Sequence, residues 1–563
     1  MTVPLEARAE GRLRTGGEVL VAQLLRHGVR RAYCVPGESY LPVLDALHDA
    51  PIELVVCRQE GGAAYMAEAQ GKLTSRPGVA FVTRGPGSAN AMVGMHTAYQ
   101  DATPVVLFVG MVPRAHRDRR AFQEIDLRGL FGSTTKLVQT VDDAARMPEF
   151  VARAFAVAAS GRPGPVVLGL PEDMLSDVVD VPDAEPIPVP AGAVGDEELD
   201  RLAHLLSAAE RPLVLLGGNR WTEDAARDVR EWTERWALPV VTDFRCQDHI
   251  DNDSPSFIGP LLFARDERLA AALAETDLLI TVGTHLGDVA TDGFETVDPA
   301  GHPALVQITP YADLSGTAYR PRLIVLAAPA TFGAAVRKLG PGTPPPWRER
   351  TAVGHEAYLR SRTPVPEGDE LDLGAVFATL AARLPDDVLV TCGAGNYAIW
   401  PQRFLAYRRF PSQLAPRNGS MGYSVPSGVA AALEYPHRTV LTVAGDGCFL
   451  MNGQELATAV TAGARLVVIV VNNGMYGTIR MHQELRYPGR VVGTDLGGVD
   501  FAAYALAVGA YGEAVIRTAE FGPALERALA ADRPALIELR VTSGRLAPGH
   551  TIDDVRAAGR AAG

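Results

Sequence analysis

Asp446 stands between two glycines in GDG, and a pair of asparagines, Asn472 and Asn473, follows one helix and one strand further along. A carboxylate, an amide oxygen and a backbone carbonyl are hard oxygen donors that suit an octahedral Mg²⁺ also held by phosphate oxygens and water. Gly445 and Gly447 let the backbone approach a phosphate closely. The segment after them, FLMNGQELATAVTAG, reads as one helix whose amide-rich start attracts anions. GDG alone is a common turn, and so is NNG. Their placement is what gives the pair meaning. RTVLTVAG reads as a strand ending at Asp446, and RLVVIVV as a second strand ending at the asparagines. If the two are parallel neighbours joined by a helix, their carboxyl ends lie side by side and the two turns meet.

The elements that must position this pair recur along the chain. Nearly continuous apolar strands are read at RAYCV, IELVVC, GVAFVT, VVLFVGM and PVVLGL; at PLVLLGG, PVVTDF, DLLITVG, LVQIT and LIVLA; and at DVLVTC, RTVLTVAG, RLVVIVVNN and ALIELRV. Separated by helix-like segments, such runs indicate parallel sheets buried on both faces. The fold expected is α/β: three doubly wound domains with mainly parallel sheets, whose ligands sit at the carboxyl ends of the strands. Two proline-rich stretches, Asp177 to Gly195 and Leu339 to Trp347, suit exposed linkers. They place the domains at 1–180, 196–338 and 365–545.

The bulk composition excludes several functions. A formal charge of −13 over 563 residues repels nucleic acid, and the basic residues are scattered apart from a run between Arg114 and Arg120. No apolar run reaches the roughly 20 residues that cross a bilayer. The segment MTVPLEARAEGRLRTGGEVL mixes both charges and lacks an apolar export core, so a cytoplasmic location is expected. Cys34, Cys57, Cys246, Cys392 and Cys448 form no CxxC pair and read as reduced, mostly buried thiols.

GDG…NN, as it stands here, resembles the cofactor motif of the thiamine diphosphate-dependent decarboxylase and carboligase superfamily. RQEGGAAYMAEAQGKLTSRPGVAFVTRGPGSANAMVG is similar to the pyrimidine-domain signature of its acetolactate synthase-like group. AFQEIDL, the Thr135-Lys136 pair and NGSMGYSVPSG match in the same order. The resemblance implies Mg²⁺ at Asp446, Asn473 and the backbone carbonyl of Met475. It implies thiamine diphosphate contacts at Pro36, Glu60, Gly87, Asn90, Gly395, Asn396, Met421, Gly445, Gly447, Cys448, Tyr476 and Gly477. Glu60, Gln123 and Met421 take the catalytic positions. Glu60 would hydrogen-bond the aminopyrimidine N1′ and favour the imino tautomer that removes the thiazolium C2 proton; a buried carboxylic acid with raised pKa suits this. Met421 would wedge beneath the bent cofactor. The pyrimidine and diphosphate ends would bind the first and third domains of neighbouring chains, making a homodimer the minimum unit and a homotetramer common.

The sequence departs from acetolactate synthases in the middle domain. In DLLITVGTHLGDVATDGF, His285 and Val289 replace two arginines of an RFDDR-type segment, and LVQITPYAD has Gln307 and Thr309 where carboxylates are usual. Both changes speak against FAD. The segment after the asparagines differs too, so Phe122, Gln123, Tyr476 and Arg480 are candidates for a distinct substrate pocket. His482 and Gln483 follow the same loop, with an exposed helix face as the competing reading. His96 and His116 read as structural. The function expected is decarboxylation of a pyruvate-like 2-oxo acid with transfer of the acyl unit to an aldehyde or 2-oxo acid acceptor. Simple decarboxylation, 2-hydroxyacyl lysis and acyl transfer to phosphate are alternatives within the class. A flavin-dependent pyruvate oxidase-type enzyme, which would be yellow, is another, and a non-catalytic cofactor-binding protein a third.

Overall fold

The computed structural model describes residues 13–263, 266–298, 303–311, 318–341, 345–542 and 544–562. Most of the segment read for export, residues 312–313 of LVQITPYAD, and 342–344 of the second proline-rich stretch lie outside them. The chain divides into two compact units, 1–190 and 191–563.

The first unit holds one six-stranded sheet. Its spatial order is Glu53–Val56, Arg31–Cys34, Gly78–Thr83, Val105–Met111, Pro165–Pro171, Leu137–Thr140, every pair parallel. The second unit holds two such sheets. One runs Phe257–Pro260, Val240–Thr242, Pro212–Leu216, Leu278–Val282, Ala304–Thr309, Leu323–Leu326. The other runs Gln413–Leu414, Leu389–Cys392, Val440–Gly445, Val467–Asn472, Ala535–Arg540, Tyr511–Val515. All three are doubly wound, as expected. In chain order within each sheet, the first and last share the winding 2-1-3-4-6-5, while the central one has the 3-2-1-4-5-6 order of dinucleotide-binding folds.

Every strand expected from an apolar run is present. In the six-stranded sheets four were not expected, Leu137–Thr140, Phe257–Pro260, Gln413–Leu414 and Tyr511–Val515, and each is an edge strand of its sheet; the short strands of two two-stranded sheets, Arg14–Thr15 with Val178–Val179 and Arg545–Ala547 with His550–Thr551, were not expected either. An edge strand pairs on one side only and can be short or mixed in polarity, so it leaves no long apolar run. The helix read over FLMNGQELATAVTAG is two helices, Asp446–Asn452 and Glu455–Ala462. They break at Gly453, where a Cβ would stand 2.3 Å from the Phe449 ring.

The proline-rich stretches are less free than expected. Val178–Val179 pairs antiparallel with Arg14–Thr15, and Arg14 reaches Asp183 at 2.7 Å. Trp347, at the end of the second stretch, is buried and donates its indole N–H to the Trp236 carbonyl at 3.0 Å. An anchored aromatic at a linker end fixes where the next element begins.

The C-terminal helix, Ile552–Ala562, lies against helix Gly477–Arg486, which follows the asparagine pair. Arg556 grips the fully buried Glu484 carboxylate with two N–H groups at 2.6 and 2.9 Å. Gly559 sits so close that a Cβ would meet the Glu484 carbonyl at 2.5 Å. The Arg556 hydrogen bonds hold the Glu484 carboxyl down to about 2. A depressed carboxyl stabilises the fold above its ordinary value and loses that contribution as pH falls towards its folded value. Arg556→Met leaves Gly489 N–H as the remaining hydrogen-bond donor to Glu484. The helix should lose about 1–3 kcal/mol of local stability, read as faster amide exchange over 552–562 at pH 7. Unchanged exchange would contradict this pairing.

Candidate active site

Register brings the two turns together. Gly445 pairs with Val471, so Asp446 and Asn472 leave neighbouring parallel strands at nearly the same level. The Met475 N–H donates to Asp446 Oδ2 at 3.2 Å and the Gly447 N–H to Oδ1 at 2.8 Å. Asn473 Oδ1 accepts from the same Met475 N–H at 3.3 Å, so the carboxylate and the amide oxygen converge on one point of the loop. Asp446 is 4% exposed, and burial raises its pKa against the opposing pull of the Gly447, Gly474, Met475 and Asn473 N–H groups. Among the described residues no Lys or Arg pairs with it, and no cluster of three His, Cys, Asp or Glu side chains competes as a metal site. A dehydrated carboxylate beside an amide oxygen, balanced only by dipoles, fits a hard divalent cation.

The two asparagines divide the work because successive strand residues face opposite ways. Asn472 turns inward, donating to the fully buried Glu538 at 2.7 Å and to the Val499 carbonyl at 3.3 Å. Its Oδ1 accepts from Gly474 N–H at 3.2 Å, whereas Asn473 Oδ1 shares the Met475 N–H with Asp446. The loop after them is clasped by residues 494–496: Tyr476 N–H donates to Thr494 O and Leu496 N–H to Gly474 O, both at 2.8 Å. Arg480 secures the clasp through Thr494 Oγ1 at 2.8 Å and an ion pair with Asp495. The Tyr476 ring lies over Gly447, where a Cβ would approach it to 2.6 Å.

The floor is built from the end of strand Leu389–Cys392. The Tyr397 ring occupies the space of a Cβ on Gly445, at 2.6 Å, and its hydroxyl donates to Cys448 Sγ at 3.1 Å. Asn396 and Thr478 exchange two hydrogen bonds, at 3.1 and 2.8 Å, tying this loop to helix Gly477–Arg486. Gly395 has φ +146, open to glycine alone. Met421 is half-buried against the core of the same sheet, and Gly422 N–H donates to Cys448 Sγ at 3.2 Å. Gly395, Asn396, Met421, Gly445, Asp446, Gly447, Cys448, Asn473, Met475, Tyr476 and Gly477 therefore form one continuous surface at the carboxyl end of this sheet.

In the first unit, Glu60 opens helix Glu60–Thr74. Asn90 Nδ2 donates to its carboxylate at 2.9 Å, and a Cβ on Gly87 would stand 3.4 Å from its other oxygen. Glu60 is half-exposed here rather than enclosed. Gln123 adopts φ +64, strained for a residue with a Cβ, and its side-chain oxygen is buried without a hydrogen-bond partner. Phe122 beside it is 76% exposed, and Pro36 is exposed too. The remaining sequence candidates separate from these. Lys136 donates to the Val157 and Ser160 carbonyls and caps helix Met147–Ala159, while Thr135 bonds Phe131 O at 2.9 Å. Gln483 braces Val492 through both ends of its amide. His96, His116 and His482 are exposed, and all five cysteines are buried free thiols.

The crevice of the central sheet does not fit a flavin. At its switch point, between strands Pro212–Leu216 and Leu278–Val282, a Cβ on Gly218 would meet Gly283 O at 1.8 Å, so the two loops touch backbone to backbone. Beside Gly217 lies the buried Asp243 carboxylate, which accepts from Thr284 Oγ1 at 2.6 Å and from Arg417. A dinucleotide ribose needs this carboxylate free, and here it is committed to Thr284 and Arg417. Gln307 lies on the neighbouring strand with its side-chain oxygen unpartnered, and Thr309 donates to Tyr311 O at 3.0 Å.

Comparisons with known proteins agree with this layout. Residues 14–130 match the thiamine pyrophosphate enzyme N-terminal TPP binding domain, 199–338 its central domain, and 393–539 its C-terminal TPP binding domain. The chain is 29% identical over 532 residues to the acetolactate synthase isozyme 2 large subunit of Escherichia coli (strain K12), covering 93% of this chain and 95% of that protein. It is 30% identical over 550 residues to the acetolactate synthase large subunit of Parasynechococcus marenigrum (strain WH8102), covering 94% and 88%. It is 29% identical over 540 residues to an acetolactate synthase of Bacillus subtilis (strain 168), covering 93% of each.

The opposite facing of the asparagines gives a paired test. Asn472→Ala removes a donor from buried Glu538 and should lower stability by about 1–3 kcal/mol while leaving Mg²⁺ binding in place. Asn473→Ala should weaken Mg²⁺ binding with little change in Tm. Calorimetry and thermal melts on both variants check it, and equal effects would contradict the division.

Proposed function

The chain belongs to the thiamine pyrophosphate enzyme family, in its acetolactate synthase-like group, and from that premise we propose a Mg²⁺-dependent carboligase. Its donor is a small 2-oxo acid of the pyruvate type, and its acceptor an aldehyde or a second 2-oxo acid. The observation that carries the reading is the convergence of Asp446 and Asn473 on the Met475 loop.

Bound thiamine diphosphate supplies the electron sink for breaking and making a bond next to a carbonyl. The chain's own residues bind and orient it. Asp446, the Asn473 amide oxygen and the Met475 carbonyl offer three oxygens to the metal. Gly445 and Gly395 let the Tyr397 ring pack against the loop, and Gly447 lets the Tyr476 ring do so, where side chains would collide with them. Glu60 holds and moves a proton at the pyrimidine nitrogen, with Asn90 fixing its carboxylate. Met421, packed against the core of the last sheet, would support the bound cofactor at its reactive end. Gln123, with a buried carbonyl oxygen lacking a partner, and Phe122 address the substrate, while Tyr476 covers the metal loop and Arg480 braces it. A homodimer is the minimum working unit in this reading, with each site assembled from two chains, in the cytoplasm.

The relatives named acetolactate synthase support a carboligase; the filled central crevice supports one without flavin. The test is a panel of 2-oxo acids, alone and with aldehyde acceptors, following carbon dioxide and products by mass spectrometry. Carbon dioxide release with a coupled product is expected, and silence across the panel would sink the proposal. Glu60→Gln should cut turnover by about 10²–10⁴ with cofactor binding retained; undiminished turnover would remove Glu60 from the mechanism.

A further inference from the structure

Asp243 caps the second strand of a sheet wound 3-2-1-4-5-6, the position at which dinucleotide-binding folds place the acid that holds a ribose. Here the carboxylate is committed elsewhere. Its Oδ1 accepts from Phe244 N–H at 2.8 Å, and its Oδ2 accepts from Thr284 Oγ1 and from the guanidinium of Arg417. Arg417 belongs to the last sheet, on the loop between strand Gln413–Leu414 and Met421.

That loop is held from the central domain along its length. Asp248 Oδ2 accepts from the Ser412 and Gln413 N–H groups at 2.9 and 3.0 Å, and Gln247 N–H donates to Gln413 Oε1 at 2.8 Å. Buried Arg245, held at φ +62, donates to the Pro416 carbonyl. Arg417 stands four residues before Met421. On the far side, Gly422 N–H is fixed on Cys448 Sγ at 3.2 Å, within the metal loop itself. Between the two anchors, Gly419 and Gly422 have φ of +71 and +84, so the backbone turns sharply on either side of Met421.

We propose that Asp243 is a positioning residue for the active site: through Arg417 it sets the height of the loop carrying Met421, and a crevice built like a nucleotide site serves as a brace. This rests on the role of Met421 given above. An uncompensated buried carboxylate would be costly, so the ion pair is kept closed and its geometry is passed to the loop.

The test uses the full-length holoenzyme with Mg²⁺ and thiamine diphosphate, and the variants Asp243→Asn, Arg417→Met, Arg417→Lys and the double variant Asp243→Asn/Arg417→Met. The readouts are Tm, the cofactor dissociation constant by calorimetry, and the rate of C2 proton exchange of bound cofactor by quenched-flow NMR. Each single loss should slow C2 exchange at saturating cofactor at least tenfold, with the double variant no slower than the worse single and Arg417→Lys partly restored. If Asp243→Asn does not fold, Arg417→Met, whose side chain is one-fifth exposed, carries the test against Arg417→Lys. Wild-type exchange in the folded variants, or additive losses in the double variant, would overturn the brace. Wild-type protein that neither binds the cofactor nor exchanges its proton would instead overturn the functional reading.

Discussion

The structure depends on two strands lying side by side. Val440–Gly445 and Val467–Asn472 are consecutive, parallel and paired through five residues, and that register alone brings Asp446 within hydrogen-bond reach of the Met475 loop. Burial makes the carboxylate costly to ionise, and the peptide dipoles around it offset part of that cost. A divalent cation would offset the rest. The surrounding glycines, the clasp of residues 494–496 and the Arg480 brace are ways of holding that arrangement.

The central domain acquires a purpose from the same constraint. The loop bearing Met421 leads out of a segment that the central domain holds, so that domain bears on where Met421 stands. Loop 243–249 is polar yet buried, and its side chains find their partners on the last sheet. Hydrogen bonds between buried polar groups fix relative position firmly, and most of the seam's groups are paired in this way. The winding of the central sheet matches a nucleotide-binding fold, while its residues at the switch point perform a different task.

Much of this was legible in the sequence, for physical reasons. Strands buried on both faces must be apolar throughout, so each of them left a readable run, and the four strands of the six-stranded sheets that left none are edges. The GDG and NN turns could be joined because a strand, a helix and a strand fit between them. That Asn472 serves Glu538 while Asn473 serves the metal loop follows from strand alternation, but Glu538 lies a strand away and nothing local announces it. The unpartnered oxygen of Gln123 and the pairing of Asp243 with Arg417 depend on tertiary contacts that no local pattern encodes. The proline-rich stretches misled in the opposite direction, because proline marks extended backbone without saying whether its neighbours are anchored.

The central claim is that Asp446 and Asn473 hold a metal that in turn holds the diphosphate. Titration calorimetry of thiamine diphosphate into the metal-stripped protein, with and without Mg²⁺, addresses it directly, with Asp446→Ala as the comparison. The account predicts tight binding that requires Mg²⁺ and is lost in the variant. Equally tight binding without Mg²⁺, or binding undiminished by Asp446→Ala, would contradict it.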